Sequence, residues 1–377
     1  MVCFIFYFWE YYLHITIKEK GIVIKTILHL IPTLEGGGAE RQLAMLSTEQ
    51  SKRGYEEHIG LRRAGINKQL LNDRIQVHYL GDYKIIDPRF FINILKLITT
   101  IKPDIMQTWL PQMDIAGGLS SIFKSIPWIM TERASSLAYK NIFFTSYVRF
   151  KLANYSKFIV ANSKEGIRYY DRAFNRKKLK VIYNAVDVDS IMEKTSKASN
   201  NTNKTTHILS VGRLEYQKNH ETLIEAISLL NFNQIKLDIF GEGSLHDELQ
   251  DLIYGKKLEN IITIKPYYKD WWKLLKKADM LVSMSYFEGS PNVVLESMAG
   301  KCPLVLSSIN EHIELLDDRS ALFSPPNDAK SLSIAIKNVI DNKADAKERS
   351  EFAFNVSQKF NIWNTADEYD KLYNEII

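Results

Sequence analysis

Cysteine is nearly absent. The 377-residue chain has two, Cys3 and Cys302, with neither metal-type spacing nor a disulfide framework between them. A reducing, cytoplasmic setting is therefore expected. No cluster of His and Glu suggests a catalytic metal. Neither sign of charge dominates. With 49 basic and 44 acidic residues the formal net charge is +5, far from the uniform basicity of a nucleic-acid binder, so an anionic partner must be met by a local patch. Long apolar runs are also missing. The stretch 1–17 is interrupted by Glu10 and His14 and falls short of the ~20 residues that span a bilayer. Its first residues carry no Lys or Arg, so it lacks the charged start of a signal peptide. Two readings of residues 1–22 stay open: an aromatic segment lying at a membrane interface, or an apolar extension upstream of the first domain.

What is present is ordinary globular composition, 45% apolar and 25% charged, in a chain long enough for two domains. Short apolar runs alternate with helical periodicities. Strands are expected at 24–31, 75–79, 105–107, 128–130, 158–161 and 181–183, with helices at 39–51 and 89–101 among the stretches between them. A polar segment at 194–206, KTSKASNNTNKTT, reads as a linker. The alternation then restarts, with strands at 207–211, 236–240, 261–264, 280–283 and 303–306. Strand–helix alternation argues for parallel sheets covered on both faces. Two doubly wound α/β domains follow, over 23–190 and 204–359. Such domains bind ligands at the carboxyl ends of their strands. A last helical stripe at 363–376 (Trp363, Ala366, Tyr369, Leu372, Tyr373, Ile376) must pack on something.

The loops after the strands carry the chemistry. EGGGAER places Gly36, Gly37 and Gly38 at the start of a helix, where backbone can approach a phosphate closely. Arg41 stands where the dinucleotide fingerprint would need a third glycine, so that motif is absent. A tight turn explains one glycine more easily than three. GRLEYQKN sets Arg213 and Lys218 beside a helix N-terminus, which suits a diphosphate, with ordinary solvated loop cations as the bland reading. FGEGSLHDEL is a strand, a turn with Gly241 and Gly243, and a helix with Ser244 as its expected cap. FEGSPNVVLESMAG holds Glu288 in a loop and Glu296 inside a helix expected to be capped by Ser290 and begun by Pro291. A solvated helix Glu is the bland reading of Glu296. Asp187 and Asp189 form the Asp-x-Asp of metal-dependent sugar transferases, but they precede the linker and read as a domain-end turn.

Taken in order, EGGGAER, NAVD, GRLEYQKN, FGEGSLHDEL and FEGSPNVVLESMAGKCPLV resemble the retaining glycosyltransferases of family 4, from about residue 24 to the C-terminus. The resemblance implies the GT-B fold: two Rossmann-like domains facing a cleft, with residues 360–377 crossing back to the first. It implies a nucleotide-diphosphate sugar as donor, a UDP-sugar first, with no cofactor and no metal. Glu296 would hold the ribose. Glu288, with the backbone of Gly289, Ser290, Pro291 and Asn292, would hold the donor sugar. Arg213 and Lys218 would bind the diphosphate, Gly241 and Gly243 would make room for the base, and glycines 36–38 would close on phosphates and acceptor. The departing phosphate oxygen would take the acceptor's proton. Where many relatives carry a histidine after the fourth strand, this chain has MTERASS, which makes Glu132 a catalytic candidate beside the alternative of a turn cap.

No acidic residue lies between Glu132 and Glu165, whereas basic and aromatic residues recur there. That suggests peripheral membrane contact through 133–180, with 1–17, beside the alternative of an ordinary helix with an aromatic core. The expected acceptor is a lipid-linked or surface-polysaccharide oligosaccharide. A nucleotide-sugar epimerase of similar fold and a non-catalytic sugar-nucleotide-binding partner are the rival readings.

Overall fold

The computed structural model describes residues 25–84, 87–133, 143–171, 173–195, 205–230 and 234–377. Segment 1–22, the region 134–142 and most of the expected linker lie outside the described residues.

The first sheet has seven parallel strands: β1 (Thr26–Leu30), β2 (Glu56–Leu61), β3 (Gln76–Tyr79), β4 (Ile105–Trp109), β5 (Trp128–Glu132), β6 (Phe158–Ala161) and β7 (Leu179–Val181), in the order β3-β2-β1-β4-β5-β6-β7. The helices α1 (Gly38–Lys52), α2 (Pro88–Ile101), α3 (Pro111–Lys124), α4 (Phe143–Leu152), α5 (Lys164–Asp171) and α6 (Val188–Thr195) follow in the chain. The second sheet has six: β8 (Thr206–Val211), β9 (Ile235–Phe240), β10 (Ile262–Lys265), β11 (Met280–Ser283), β12 (Leu304–Ser307) and β13 (Leu322–Ser324), in the order β10-β9-β8-β11-β12-β13. With it go α7 (His220–Ser228), α8 (His246–Gly255), α9 (Asn292–Ala299), α10 (Asn310–Ile313), α11 (Ala329–Asp341) and α12 (Lys343–Ser357), and the chain ends in α13 (Ile362–Asn374). The expected α/β architecture is present in both halves. In each sheet the first strand lies inside, and the order reverses beside it between β1 and β4 and between β8 and β11. A crevice opens at such reversals, beyond the carboxyl ends of the strands.

Two strands escape the pattern of apolar runs, β2 and β13. β2 reads EEHIGL, yet Glu57 and His58 are buried. Burial pushes the Glu57 carboxyl above its ordinary range, and His29 Nε2 of β1, 3.0 Å away, offsets part of that cost. The helix starts also differ from expectation. α8 begins at His246, and Ser244 instead bonds Glu215 through both its N–H (3.0 Å) and its hydroxyl (2.9 Å). α9 begins at Asn292 with no side-chain cap from Ser290. The Asp187 carboxylate accepts the Ser190 N–H at 3.1 Å beside α6, which gives it the turn role expected of it.

The chain crosses back at its end. Val186 N donates to the Phe360 carbonyl at 2.8 Å, and α13 then packs on α1. Its buried residues Ala366, Tyr369, Leu372 and Tyr373 join the first domain's core with Leu43 and Leu46, and Tyr373 OH donates to Gln107 on β4 at 2.7 Å. The apolar stripe legible in the sequence is the face that does this from Ala366 onward, while Trp363 at its start is 48% exposed.

Candidate active site

Between the two sheets lies a cleft of about 810 Å³. Gly36, Gly37, Gly38, Arg213, Lys218, Gly241, Glu288, Gly289, Ser290, Asn292 and Glu296 all line it. Its walls thus come from loops after β1, β8, β9 and β11. Glu132, Gly243 and Pro291 do not line it.

Both glutamates are almost fully buried, Glu288 at 5% and Glu296 at 4% exposure, which removes the solvated-surface reading of Glu296. Each carboxylate is matched by a cation. Lys218 Nζ donates to Glu288 at 2.6 Å, and the Ser285 hydroxyl donates to the same oxygen at 2.5 Å. Burial pushes the Glu288 carboxyl up, but Lys218 and Ser285 outweigh it and hold the group below its ordinary value. The Glu288 N–H donates to Glu311 at 3.1 Å and fixes the loop. Glu296 accepts from Trp271 Nε1 at 2.8 Å and pairs with Arg41 of the opposite domain. Here burial prevails over both partners, and the carboxyl titrates above its usual range. The Arg41 guanidinium lies over the Trp272 ring, 4.5 Å from its centroid, a favourable place for a cation.

Arg213 sits exposed at the rim, with Nη2 donating to Gln217 at 3.0 Å. Gln217 in turn donates to the Phe287 carbonyl at 2.8 Å, which ties the two loops together. At the head of α9, the Ser290 hydroxyl oxygen is buried without a hydrogen-bond partner among the described residues. An unpartnered buried hydroxyl at a cleft wall is a position a ligand can satisfy. Asn292 accepts from Asn184 at 2.7 Å across the cleft, and Gly38 is packed so close that a Cβ there would lie 2.7 Å from Asn292 Nδ2. A Cβ on Gly241 would come within 1.9 Å of the Gly212 carbonyl oxygen. That glycine therefore serves backbone packing between the β8 and β9 loops as well as lining the cleft.

Glu132 is the correction. At 1% exposure it lies beneath the cleft, accepting from Arg149 Nη1 at 2.6 Å and Tyr170 OH at 2.9 Å. Arg149 also donates to Asp114 at 2.6 Å. Both carboxylates serve to neutralise a buried guanidinium, and neither faces substrate space. The neighbour Arg133 faces the cleft instead, 4.1 Å over the Trp109 ring, with Nη1 donating to Asn184 and Nη2 to Tyr369 OH, both at 2.9 Å. Sequence reasoning missed Arg133, Arg41, Trp271 and Asn184. Arg41 and Asn184 belong to quoted motifs, EGGGAER and the Asn of NAVD, and the doublet Trp271-Trp272 soon after a strand was a further signal.

Residues 36–190 match the family model described as Glycosyltransferase Family 4, and residues 192–356 match Glycosyl transferases group 1. The chain belongs to the family 4 glycosyltransferases. The fold of this glycosyltransferase is GT-B: Anabaena HepE in complex with UDP-glucose superposes with a TM-score of 0.81 at 18% identity, covering 93% of this chain and 99% of that one. TarM superposes at 0.77 and 12% identity over 94% and 99%. Among sequence relatives, a Campylobacter jejuni N-acetylgalactosamine-N,N'-diacetylbacillosaminyl-diphospho-undecaprenol 4-alpha-N-acetylgalactosaminyltransferase is 28% identical over 83% of this chain and 89% of its own length. A second enzyme of that organism, an alpha-1,4-N-acetyl-D-galactosaminyltransferase acting on a GalNAc-containing diNAcBac-PP-undecaprenol, is 26% identical over 93% and 98%.

Proposed function

We propose that this glycosyltransferase moves an N-acetylhexosamine, with retention of anomeric configuration, from a UDP-sugar to a glycan carried on a polyprenyl diphosphate. The observation that carries the reading is the cleft's pair of buried carboxylates, Glu288 and Glu296, each held by a cation, Lys218 and Arg41. Hydroxyl-rich ligands suit carboxylates, and a diphosphate suits the cations. The UDP-glucose in complex with HepE, a protein of the same fold, and the acceptors in the relatives' names supply the substrate classes.

In this reading Glu296 takes the ribose hydroxyls and Glu288 the donor sugar. Lys218 and Arg213 neutralise the diphosphate as it leaves, and the leaving oxygen receives the acceptor's proton. Catalysis then rests on positioning and on charge stabilisation, without a protein base. Because Arg41 occupies Glu296, a nucleoside must move its guanidinium aside, toward the phosphates. The test is turnover of UDP-GalNAc, UDP-GlcNAc, UDP-glucose, UDP-galactose and GDP-mannose with a polyprenyl-diphosphate glycan, with the product's anomeric coupling read by NMR. Transfer with inversion would overturn the mechanism, and sugar interconversion in donor alone would favour the epimerase. A rate unchanged by EDTA is expected, since two cations stand at the leaving group.

A further inference from the structure

The outer layer of the first domain carries an apolar face that is unpartnered among the described residues. α3 buries mostly small and polar residues, Asp114, Gly117, Gly118, Ser120 and Ser121, beside Met113 and Ala116, with the two glycines against Thr108 and Trp128. Its outward side is Ile115, Leu119, Ile122 and Phe123, of which the last three are 45%, 39% and 70% exposed. α2 lies alongside, contributing Phe91, whose ring meets Phe123 edge-on at 6.5 Å, and Ile92, 45% exposed. Single exposed apolar side chains are ordinary, but a contiguous set marks an interaction surface.

The charges around this face are mostly basic. From 88 to 131 the cations are Arg89, Lys96, Lys102 and Lys124, and the only acids are Asp104 and Asp114. Asp114 is buried on Arg149, and Asp104 accepts the Thr26 N–H at 2.8 Å. Asp87, at the start of α2, is held by Arg89 at 2.8 Å. Beside α3, α4 and the turn after it add exposed Tyr147, Lys151, Tyr155 and Lys157, and no carboxylate. The N-terminal ends of α2 and α3 follow the carboxyl ends of strands, on the cleft side of the domain.

We propose that the α2–α3 face docks on an anionic lipid bilayer, with Phe123, Leu119, Ile122 and Ile92 entering the headgroup boundary and the flanking lysines lying on acidic lipid. This places the contact on α2 and α3, ahead of the 133–180 stretch singled out by its aromatic and basic composition. A second copy of the chain fits the face less well, because symmetric packing would bring the lysines of one copy against those of the other, and the nearest carboxylate, Asp87, is already held by Arg89. The proposal rests on the lipid-linked acceptor only for its purpose. Vesicle binding is read with no substrate present, so its failure leaves the transfer reading standing.

Co-flotation of the full chain with vesicles of phosphatidylglycerol and phosphatidylcholine tests it, against pure phosphatidylcholine. Leu119→Glu with Phe123→Glu should lower the partition coefficient at least tenfold. Lys96→Gln and Lys124→Gln, at exposed positions that leave the helices intact, should each lower it about fivefold on anionic vesicles, the equivalent of about 1 kcal/mol per charge. Ile334→Glu, on the second domain and 62% exposed, should leave it unchanged. The proposal falls if the wild-type chain stays with the unbound protein, if the α3 double variant or both lysine variants float like wild type, or if sedimentation velocity shows a wild-type dimer that Phe123→Glu dissociates.

Discussion

Glu296→Gln tests the nucleoside end of the proposed site. The substitution keeps the shape of the side chain and one acceptor oxygen for Trp271 Nε1, 2.8 Å away, but removes the charge that Arg41 faces. A hydrogen bond to a charged group contributes roughly 1.5–3 kcal/mol, which corresponds to roughly 10- to 150-fold in affinity. Since the amide still accepts one bond, the lower part of that range applies, and the donor KM should rise about 10- to 50-fold. The ribose lies away from the reacting carbon, so kcat should stay within about threefold, the signature of binding shared by ground and transition states. Steady-state kinetics over donor concentration reads both numbers. An unchanged KM would remove the ribose role, and a fall in kcat at constant KM would move Glu296 into the chemistry.

A pH dependence accompanies it. Burial holds the folded-state Glu296 carboxyl above its ordinary range, so the folded chain binds this proton more tightly than the unfolded chain. Its contribution to stability is greatest below the ordinary carboxylate range and is lost as pH rises through the raised value. Donor binding needs the ionised form and moves the other way, weakening as pH falls into the same window. In Glu296→Gln both slopes should vanish. Persistence of the acid rise in donor KM would assign it to another group.

Three further substitutions bear on separate parts of the structure. Lys218→Ala should lower kcat by about 10²–10³, the usual cost of losing a charge stabiliser. It should also raise the acid limb of the rate profile, because Lys218 is what holds Glu288 down; near-normal turnover would put the diphosphate elsewhere. Glu132→Gln should cost about 2–4 kcal/mol of stability, less than a fully broken buried pair because Asp114 still faces Arg149. Its Tm should fall while kcat per folded molecule holds, and a collapse of kcat at normal Tm would restore the catalytic reading. Gly241→Ala, with its Cβ 1.9 Å from a backbone oxygen, should lower Tm and soluble yield, and a wild-type Tm would mean the two loops part easily.

How far the sequence could be read depended on how local each determinant is. The strands of β-branched and aliphatic runs, the helical periodicity of 89–101 and the loop glycines announce themselves within a few residues. So did Glu288 and Glu296, whose spacing is set by one loop and one helix. What was missed depends on partners distant in the chain. β2 looks polar because His29, the partner of Glu57 at 3.0 Å, lies on another strand. Arg41 registers in the sequence only as the residue that breaks the dinucleotide fingerprint, since its carboxylate is 255 residues away. Glu132 looked available because Arg149 reaches it only after the fold brings α4 over β5. A residue's type is local information, and the charge it faces is not.

The pairing of charges in the cleft bears on how a donor would enter it. An isolated carboxylate or ammonium buried to this depth would be costly, and would shift its pKa to shed charge. Lys218 outweighs that cost at Glu288, and Arg41 offsets part of it at Glu296, whose carboxyl stays raised. A nucleotide-diphosphate sugar carries both kinds of replacement partner on one molecule: anionic oxygens for the cations and hydroxyls for the carboxylates. On the proposed reading, binding is therefore an exchange in which each side chain trades a protein partner for a ligand partner and no charge is left bare. The exchange is also selective. A free sugar offers hydroxyls but leaves Lys218 and Arg41 without an anion, while inorganic diphosphate satisfies the cations and strands two buried carboxylates. Only the joined molecule satisfies all four, and breaking its sugar–phosphate bond ends that match. Transfer would then loosen the grip on both products.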